Sequence, residues 1–329
     1  MAKRNDRARG AVYPVRKSAS PRAPGAAHKL LVRPPRILLY MDAVARHGSI
    51  RKAAEALHIA SSALNRRILD LEDEVGMPLF ERLPRGVRLS AAGELFVGYV
   101  RRNLAELELL GSQIEHLQGL VRGRVRIAAT ESVAGDFLPS AIVRFQGRHP
   151  GVYFNVSIGA PGTLLDSLID DSVDLVLTHN PPEHRDVAVI AAASQPLCAL
   201  VARGHPLAGR ESLTLRECQE YPIALADATL AGRALIDRAL GKASLRIEPA
   251  FVSNSVEAMK AFARMSKAVC FQFKVGGMRD VALGEMVAIP LADAQSRNAQ
   301  LVLAMRAGRV LPIAAATFAE EVKAALDRL

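Results

Sequence analysis

Residues 36–90 set three amphipathic stripes and one hairpin between closely spaced breaks, and this punctuation constrains the fold more than any other feature of the chain. In 36–47, Ile37, Met41 and Val44 recur on one helical face, flanked by Leu38 and Ala45. Gly48-Ser49 stops that helix and caps the next, in which Ala53, Ala54 and Leu57 point inward. After a tight connector at 58–60, Ser61 is placed to cap a third helix, with Leu64, Ile68, Leu71 and Val75 as its buried stripe. Gly76-Met77-Pro78 ends it. Two short extended pieces about Pro84-Arg85-Gly86 then make a hairpin, and Ser90 caps a new helix.

The polar residues of this region fall off the stripes. Ser61, Ser62, Asn65, Arg66 and Arg67 gather near the start of the third helix. A helix-turn-helix inserts that part of its second motif helix into the major groove, where Asn pairs with adenine and Arg with guanine. Ser49 and Arg51 on the preceding helix and Arg82, Arg85 and Arg88 in the hairpin complete the expected DNA-binding set. The arginines of the hairpin would grip phosphate. A helical hairpin with an ordinary solvated face shows the same polar pattern, so these residues alone leave both readings open.

From Ala91 to Val121 the chain reads as one long helix. Phe96, Val100, Asn103, Leu107, Leu110, Ile114 and Leu117 follow alternating spacings of four and three, a coiled-coil seam with a polar break at Asn103. The seam predicts dimerisation; packing against the protein's own core is the alternative.

Residues 48–94 resemble the signature of LysR-type transcriptional regulators nearly end to end. Gly48-Ser49, Ala53-Ala54, Leu57, Leu71-Glu72, Gly76, Leu79-Phe80, Arg82, Leu89-Ser90 and Ala92-Gly93 carry the likeness. The chain departs from it in the recognition helix, where Ala60-Ser61-Ser62-Ala63-Leu64-Asn65 stands for the family's common Ser-Gln-Pro-Ala-Val-Ser. The fold expectation is unaffected, but the base preference is not transferable. The resemblance implies a multidomain protein: an all-α winged helix-turn-helix at 34–90, a linker and dimerisation helix at 91–122, and at 123–329 a two-lobed α/β effector domain of periplasmic-binding-protein type II. It also implies a sequence-specific regulator in the cytoplasm, binding double-stranded promoter DNA and a small polar effector as a homodimer or homotetramer, with RNA polymerase as a further partner. A nonspecific nucleoid-type DNA binder and a solute-binding receptor are the competing classes.

The second half alternates strands and helices in a βαβ order that predicts a mostly parallel sheet. Strands are expected at 124–129, 152–158, 174–178, 198–202, 223–225, 250–252, 268–273 and 299–305, and helices at 137–148, 163–170, 231–240, 255–264 and 312–329. Crossings near Gln195 and Phe273 would divide it into lobe I (123–194 and 274–329) and lobe II (195–273). Ligands of such domains sit at strand C-termini beside helix N-termini. That rule nominates Thr130, Glu131, Ser132, Thr163, His179 and Asn180 in one lobe and Asp227, Thr229, Ser253 and Asn254 in the other. Each alone is as easily a helix cap. The acids Glu131 and Asp227 favour a ligand with a cationic or hydroxyl group.

Composition narrows the class. No apolar run is long enough to span a membrane, and the N-terminus has no apolar signal-peptide core. Cys198, Cys218 and Cys270 form no zinc or C-x-x-C spacing and read as buried thiols. No phosphate-binding loop, dinucleotide fingerprint, metalloprotease helix or nucleophile elbow is present, so neither an enzyme nor a cofactor or metal is expected. His179 and His184 flank Glu183 in a Pro-rich loop, a weak metal candidate. Of the net charge of +10, residues 1–36 carry +9. This Arg- and Pro-rich tail lacks hydrophobic periodicity and is expected to be disordered. Deleting residues 1–33 should lower binding to random duplex DNA most at low salt and spare discrimination of a preferred site; fluorescence anisotropy across a salt series measures both.

Overall fold

The computed structural model describes residues 33–117, 121–292 and 299–329; the basic tail expected at 1–33 lies, but for Arg33, outside them. The N-terminal unit comprises α1 (Arg36–His47), α2 (Ile50–Leu57), α3 (Ser61–Val75), the hairpin β1 (Phe80–Leu83) and β2 (Gly86–Leu89), and the first half of α4 (Ala91–Leu117). Met41, Val44, Ala53, Ala54, Leu64 and Ile68 share one core with Leu79, Phe80, Val97 and Val100. The stripes read from the sequence therefore face each other.

Local chemistry fixes the turns. Ser49 Oγ accepts the Lys52 N–H and caps α2, and Ser90 Oγ accepts the Gly93 N–H and caps α4. Ser61 does not cap α3. The cap position is Ala60, which is extended and offers no side-chain bond, so Ser61 is already helical. Val75 lies at the frayed end of the stripe and is 41% exposed, so it is not core. Glu72 Oε1 accepts the backbone N–H groups of Leu79 (2.7 Å) and Phe80 (2.9 Å), tying the end of α3 to the entry of the wing. Two glycines permit contacts that no side chain allows. The Val87 N–H donates to Gly48 O at 2.9 Å, and a Cβ on Gly86 would stand 2.3 Å from that same oxygen. A Cβ on Gly93 would stand 1.9 Å from Leu79 O.

The second half contains two five-stranded sheets. The first, of order β4-β3-β5-β12-β6, is built from β3 (Gly123–Ala129), β4 (Val152–Ile158), β5 (Leu175–His179), β6 (Val187–Ser194) and β12 (Gln300–Arg306). The second, of order β11-β7-β10-β8-β9, comprises β7 (Leu197–Ala202), β8 (Ile223–Ala226), β9 (Phe251–Ser253), β10 (Val269–Phe273) and β11 (Met286–Pro290). Helices α5 (Phe137–Arg148), α6 (Pro161–Ile169) and α11 (Ile313–Leu326) belong to lobe I; α7 (Leu215–Cys218), α8 (Ala231–Ala243), α9 (Val256–Met265) and α10 (Lys274–Ala282) belong to lobe II.

Two expectations need correction. The sheets are mixed rather than mostly parallel. β12 runs antiparallel to β5 and β6, and β7 runs antiparallel to β10 and β11. A strand that returns from the opposite lobe enters its sheet from the other end, which reverses its direction. The second crossing is also not at Phe273. β11 pairs with β7 over five residues, so lobe II continues beyond α10 through Pro290, and the chain is next found in lobe I at β12. β6, α7, α10 and β11 have no counterpart among the elements expected from the sequence. The alanine run of β6 (Val187–Ser194) lacks alternation, and the short α10–β11 unit carries its turn at Gly284.

Gly93→Ala should destabilise the N-terminal unit selectively, by about 1–3 kcal/mol or more, because the new methyl meets backbone rather than a yielding side chain. Hydrogen exchange resolved by segment should show faster exchange in α1–α3 with α5 and α11 unchanged.

Candidate DNA interface and effector cleft

The wing arginines have different tasks. The β1–β2 register sets Glu81 opposite Arg88, and the two form an ion pair at 2.6 Å. Arg82, on the other face, donates to Asn65 Oδ1 of α3 at 3.0 Å, so wing and recognition helix are joined by the residue expected to touch DNA. Asn65 is half-buried and held in orientation by that bond. Arg51 is spent on Glu55 at 2.6 Å, and the Ser49 hydroxyl on its cap. Arg66, Arg67 and Arg85 are exposed and make no hydrogen bond or ion pair among the described residues; Ser61 and Ser62 are exposed at the first turn of α3. Arg66, Arg67, Ser61 and Ser62 form a free polar surface at the start of α3, a helix end whose N–H groups attract anions, and Arg85 stands free at the wing tip.

The expected seam on α4 is divided. Val100 is buried in the N-terminal core and Phe96 packs against it. Asn103 is half-buried and its Nδ2 donates to Tyr99 O of its own helix, so it marks no buried polar register. Leu107 and Ile114 are half-buried, whereas Leu110 is 43% and Leu117 86% exposed. Completing the N-terminal core consumes the upper part of the seam, so the seam's own apolar surface remains in the lower part, while Leu95 and Tyr99 are exposed off the seam on the upper part.

In the second half, Thr130, Glu131 and Ser132 leave the end of β3 and enter the gap between the lobes. Facing them are Leu230, Val256 and Phe273. Glu131 does not stand free there. Its Oε1 accepts the Val256 N–H at 2.9 Å, across the gap, at the first residue of α9. The protein's own carboxylate therefore occupies the helix N-terminus that a ligand anion would seek. His179 is buried and stacks on Phe273, with ring centroids 3.6 Å apart and an interplanar angle of 8°. Its Nδ1 lies 3.3 Å from both Thr130 Oγ1 and Ser132 Oγ, and its Nε2 has no partner among the described residues. Burial pushes its pKa down to about 3, so the ring is neutral at physiological pH.

The remaining nominated residues do not converge. Thr163 Oγ1 is turned onto Ala160 O of its own helix start. Asn180 has a left-handed backbone (φ 43°), and its Oδ1 accepts the Gln300 N–H, which makes it a strand-end staple. Asp227 Oδ1 accepts both the hydroxyl and the N–H of Thr229, closing a local turn and holding the carboxyl below its usual pKa. Ser253 Oγ accepts the Ser255 N–H, and Asn254 is exposed. His184 sits in the exposed loop and bonds Asp186, apart from buried His179; no cluster of metal-ligating side chains occurs among the described residues. Cys198 and Cys270 are pushed up by burial to about 11 and about 12, which disfavours the thiolates that redox sensing requires.

Sequence reasoning missed the cross-lobe partners Val256 and Phe273, which are apolar residues acting through a backbone N–H and a ring face. It also missed Lys260, which is buried with Asp280 (2.6 Å) and the Gly276 carbonyl (3.1 Å). The available signal was position. Lys260 falls on the same helical face as Val256, Met259 and Ala263.

Comparison with known proteins agrees with this architecture. Residues 35–94 match the model for bacterial regulatory helix-turn-helix proteins of the lysR family, and residues 118–327 match the LysR substrate binding domain. The chain belongs to the LysR family of transcriptional regulators. The RuBisCO operon transcriptional regulator of Allochromatium vinosum is 33% identical over 229 residues, covering 70% of this chain and 76% of the relative. The SDS degradation transcriptional activation protein of a Pseudomonas species is 31% identical over 287 residues, covering 85% and 92%. The solved full-length OxyR of Pseudomonas aeruginosa shares the fold with a TM-score of 0.66 at 19% identity, covering 88% of this chain and 93% of its own. No helix among the described residues is long and apolar enough to cross a membrane.

The buried imidazole makes stability depend on pH. Folded His179 has a pKa near 3, whereas an unfolded histidine titrates near 6.5, so the unfolded state binds more protons between these values. Stability is full above about pH 6.5 and should fall by up to about 1.4 kcal/mol per pH unit below it. Denaturant midpoints at pH 7, 6 and 5 should show this decline, and His179→Phe, which retains the stack, should flatten it.

Proposed function

We propose that this chain regulates transcription by reading an operator duplex with α3, by anchoring it with the wing, and by changing that grip when a small molecule enters the gap between the lobes. The observation that carries the reading is the free cationic surface of Arg66 and Arg67 beside the exposed hydroxyls of Ser61 and Ser62, with Arg85 free at the wing tip, in a unit whose other wing arginines are paired internally. Arg66, Arg67 and the two serines are the base readers. Asn65 reads through its Nδ2, with its orientation set by Arg82. Arg85 at the wing tip takes phosphate.

The effector site comprises Thr130, Glu131, Ser132 and the Val256 N–H, walled by Leu230 and Phe273. Among the described residues that line this gap, Glu131 is the only charged side chain. The two hydroxyls and the neutral His179 suit a small molecule bearing hydroxyl or other hydrogen-bonding groups. Dimerisation uses the lower, exposed part of α4 around Leu110 and Leu117, and homo-oligomerisation duplicates the reading head for two half-sites.

The test uses a duplex selected from a random pool by the full chain, with an unselected duplex beside it. Arg66→Ala should cost about 1–3 kcal/mol on the selected duplex and relax preference at one base pair. Arg85→Ala should weaken both duplexes alike and reduce the salt slope by about 1. Equal affinity of the unaltered chain for both duplexes at every salt concentration would instead mark a nonspecific binder.

A further inference from the structure

Arg101, midway along α4, holds carboxylates from two different units. Its Nε donates to Asp42 Oδ1 of α1 at 3.2 Å. Its Nη1 donates to Asp170 Oδ2 at 2.8 Å and lies 3.4 Å from the Asp170 carbonyl. The arginine and Asp42 side chains are 16% and 13% exposed, so the pairing is shielded from solvent. A guanidinium presents divergent N–H groups in a rigid planar fork, which fixes the spacing and direction of the two partners; an ammonium is a compact point charge that sets neither. Asp42 is steadied further by Arg46 at 2.7 Å.

Asp170 caps the C-terminus of α6, and the loop before the other end of that helix is bonded to the strand whose end enters the effector gap. The Gly159 N–H donates to Ala129 O, next to Thr130 in the gap wall, and α6 begins two residues later at Pro161. Leu164, Leu165 and Leu168 bury the face of α6. The helix is thus a rod of about 14 Å, one end joined through its preceding loop to that strand and the other in the grip of Arg101. Behind Asp170 the ionic contacts continue. Asp171, at φ 59°, pairs with Arg306 and Arg309; Asp174 pairs with Arg309 and Arg126; and Arg126 pairs with Glu108 of α4. The network leaves the linker helix at Arg101, runs along the side of lobe I that faces it and returns to the same helix two turns later at Glu108.

We propose that Arg101 is a positioning residue that clasps the DNA-binding unit to lobe I, and that α6 transmits the state of the effector gap to α1 through Asp170, Arg101 and Asp42. The clasp is a property of the chain by itself; its regulatory use rests on the proposed effector site. The two parts are separable by experiment. Dyes are placed on cysteines introduced at exposed Asp70 of α3 and Glu183 of lobe I, in the full chain diluted with unlabelled protein so that transfer is intramolecular. Asp170→Asn, at a half-exposed helix end, removes the lobe I side of the clasp without burying an unpaired charge. It should broaden the transfer distribution and shift its mean. Arg101→Lys should do the same, and the double variant should add nothing further. An unchanged distribution in both single variants, with unaltered thermal midpoints, would overturn the clasp. On the selected duplex Asp170→Asn should change affinity at least threefold and leave the random duplex within twofold. A shifted distribution with unchanged affinity on both would overturn the transmission. If the unaltered chain fails to distinguish the two duplexes, the regulator reading fails while the distance measurement still decides the clasp.

Discussion

Val97 and Val100 are buried among side chains of the DNA-binding unit, yet they sit on a helix whose far end is fastened to lobe I. The rest of the structure depends on this sharing. The three short helices have too little apolar surface to close a core alone, and the first turns of α4 supply what is missing. The same covalent rod then passes Arg101, Glu108 and Ser112 along lobe I, where Ser112 Oγ accepts the Ile313 N–H at the start of α11. Neither unit can rotate freely about α4 without losing buried contacts on one side.

The sequence was most legible where short-range chemistry decides. The bounds of α1, α2, α5 and β4 follow from apolar spacing between Gly, Ser and Pro signals, and the caps at Ser49 and Ser90 are where they were expected. It was least legible where the partner lies far along the chain. The direction of β12 and the membership of β11 are set by which lobe the chain returns to, and no local pattern encodes that choice. The heptad spacing on α4 was real, but spacing alone does not say which apolar surface meets the stripe.

The candidate site shows the same division. Thr130 and Ser132 are nominated because strand ends define ligand gaps in this class of fold, and both line the gap between the lobes. Thr163, Asn180 and Asp227 share that placement, but each satisfies a backbone or side-chain group within its own turn or strand end. A polar residue at a strand end is free to bind only if its own turn leaves it unpaired, and that depends on geometry. Glu131 is the instructive case. Its acidity was visible in the sequence, and its partner, a main-chain N–H from the opposite lobe, was not.

The Glu131–Val256 bond ties the two lobes together across the proposed effector gap. If the proposed site takes a ligand, the molecule meets lobes already joined by an internal carboxylate, and opening must precede entry. Apparent affinity is then the intrinsic affinity scaled by the fraction of open molecules, and association saturates at the opening rate as concentration rises. The cost of opening would then include both this hydrogen bond and the stack of His179 on Phe273, which also joins the lobes.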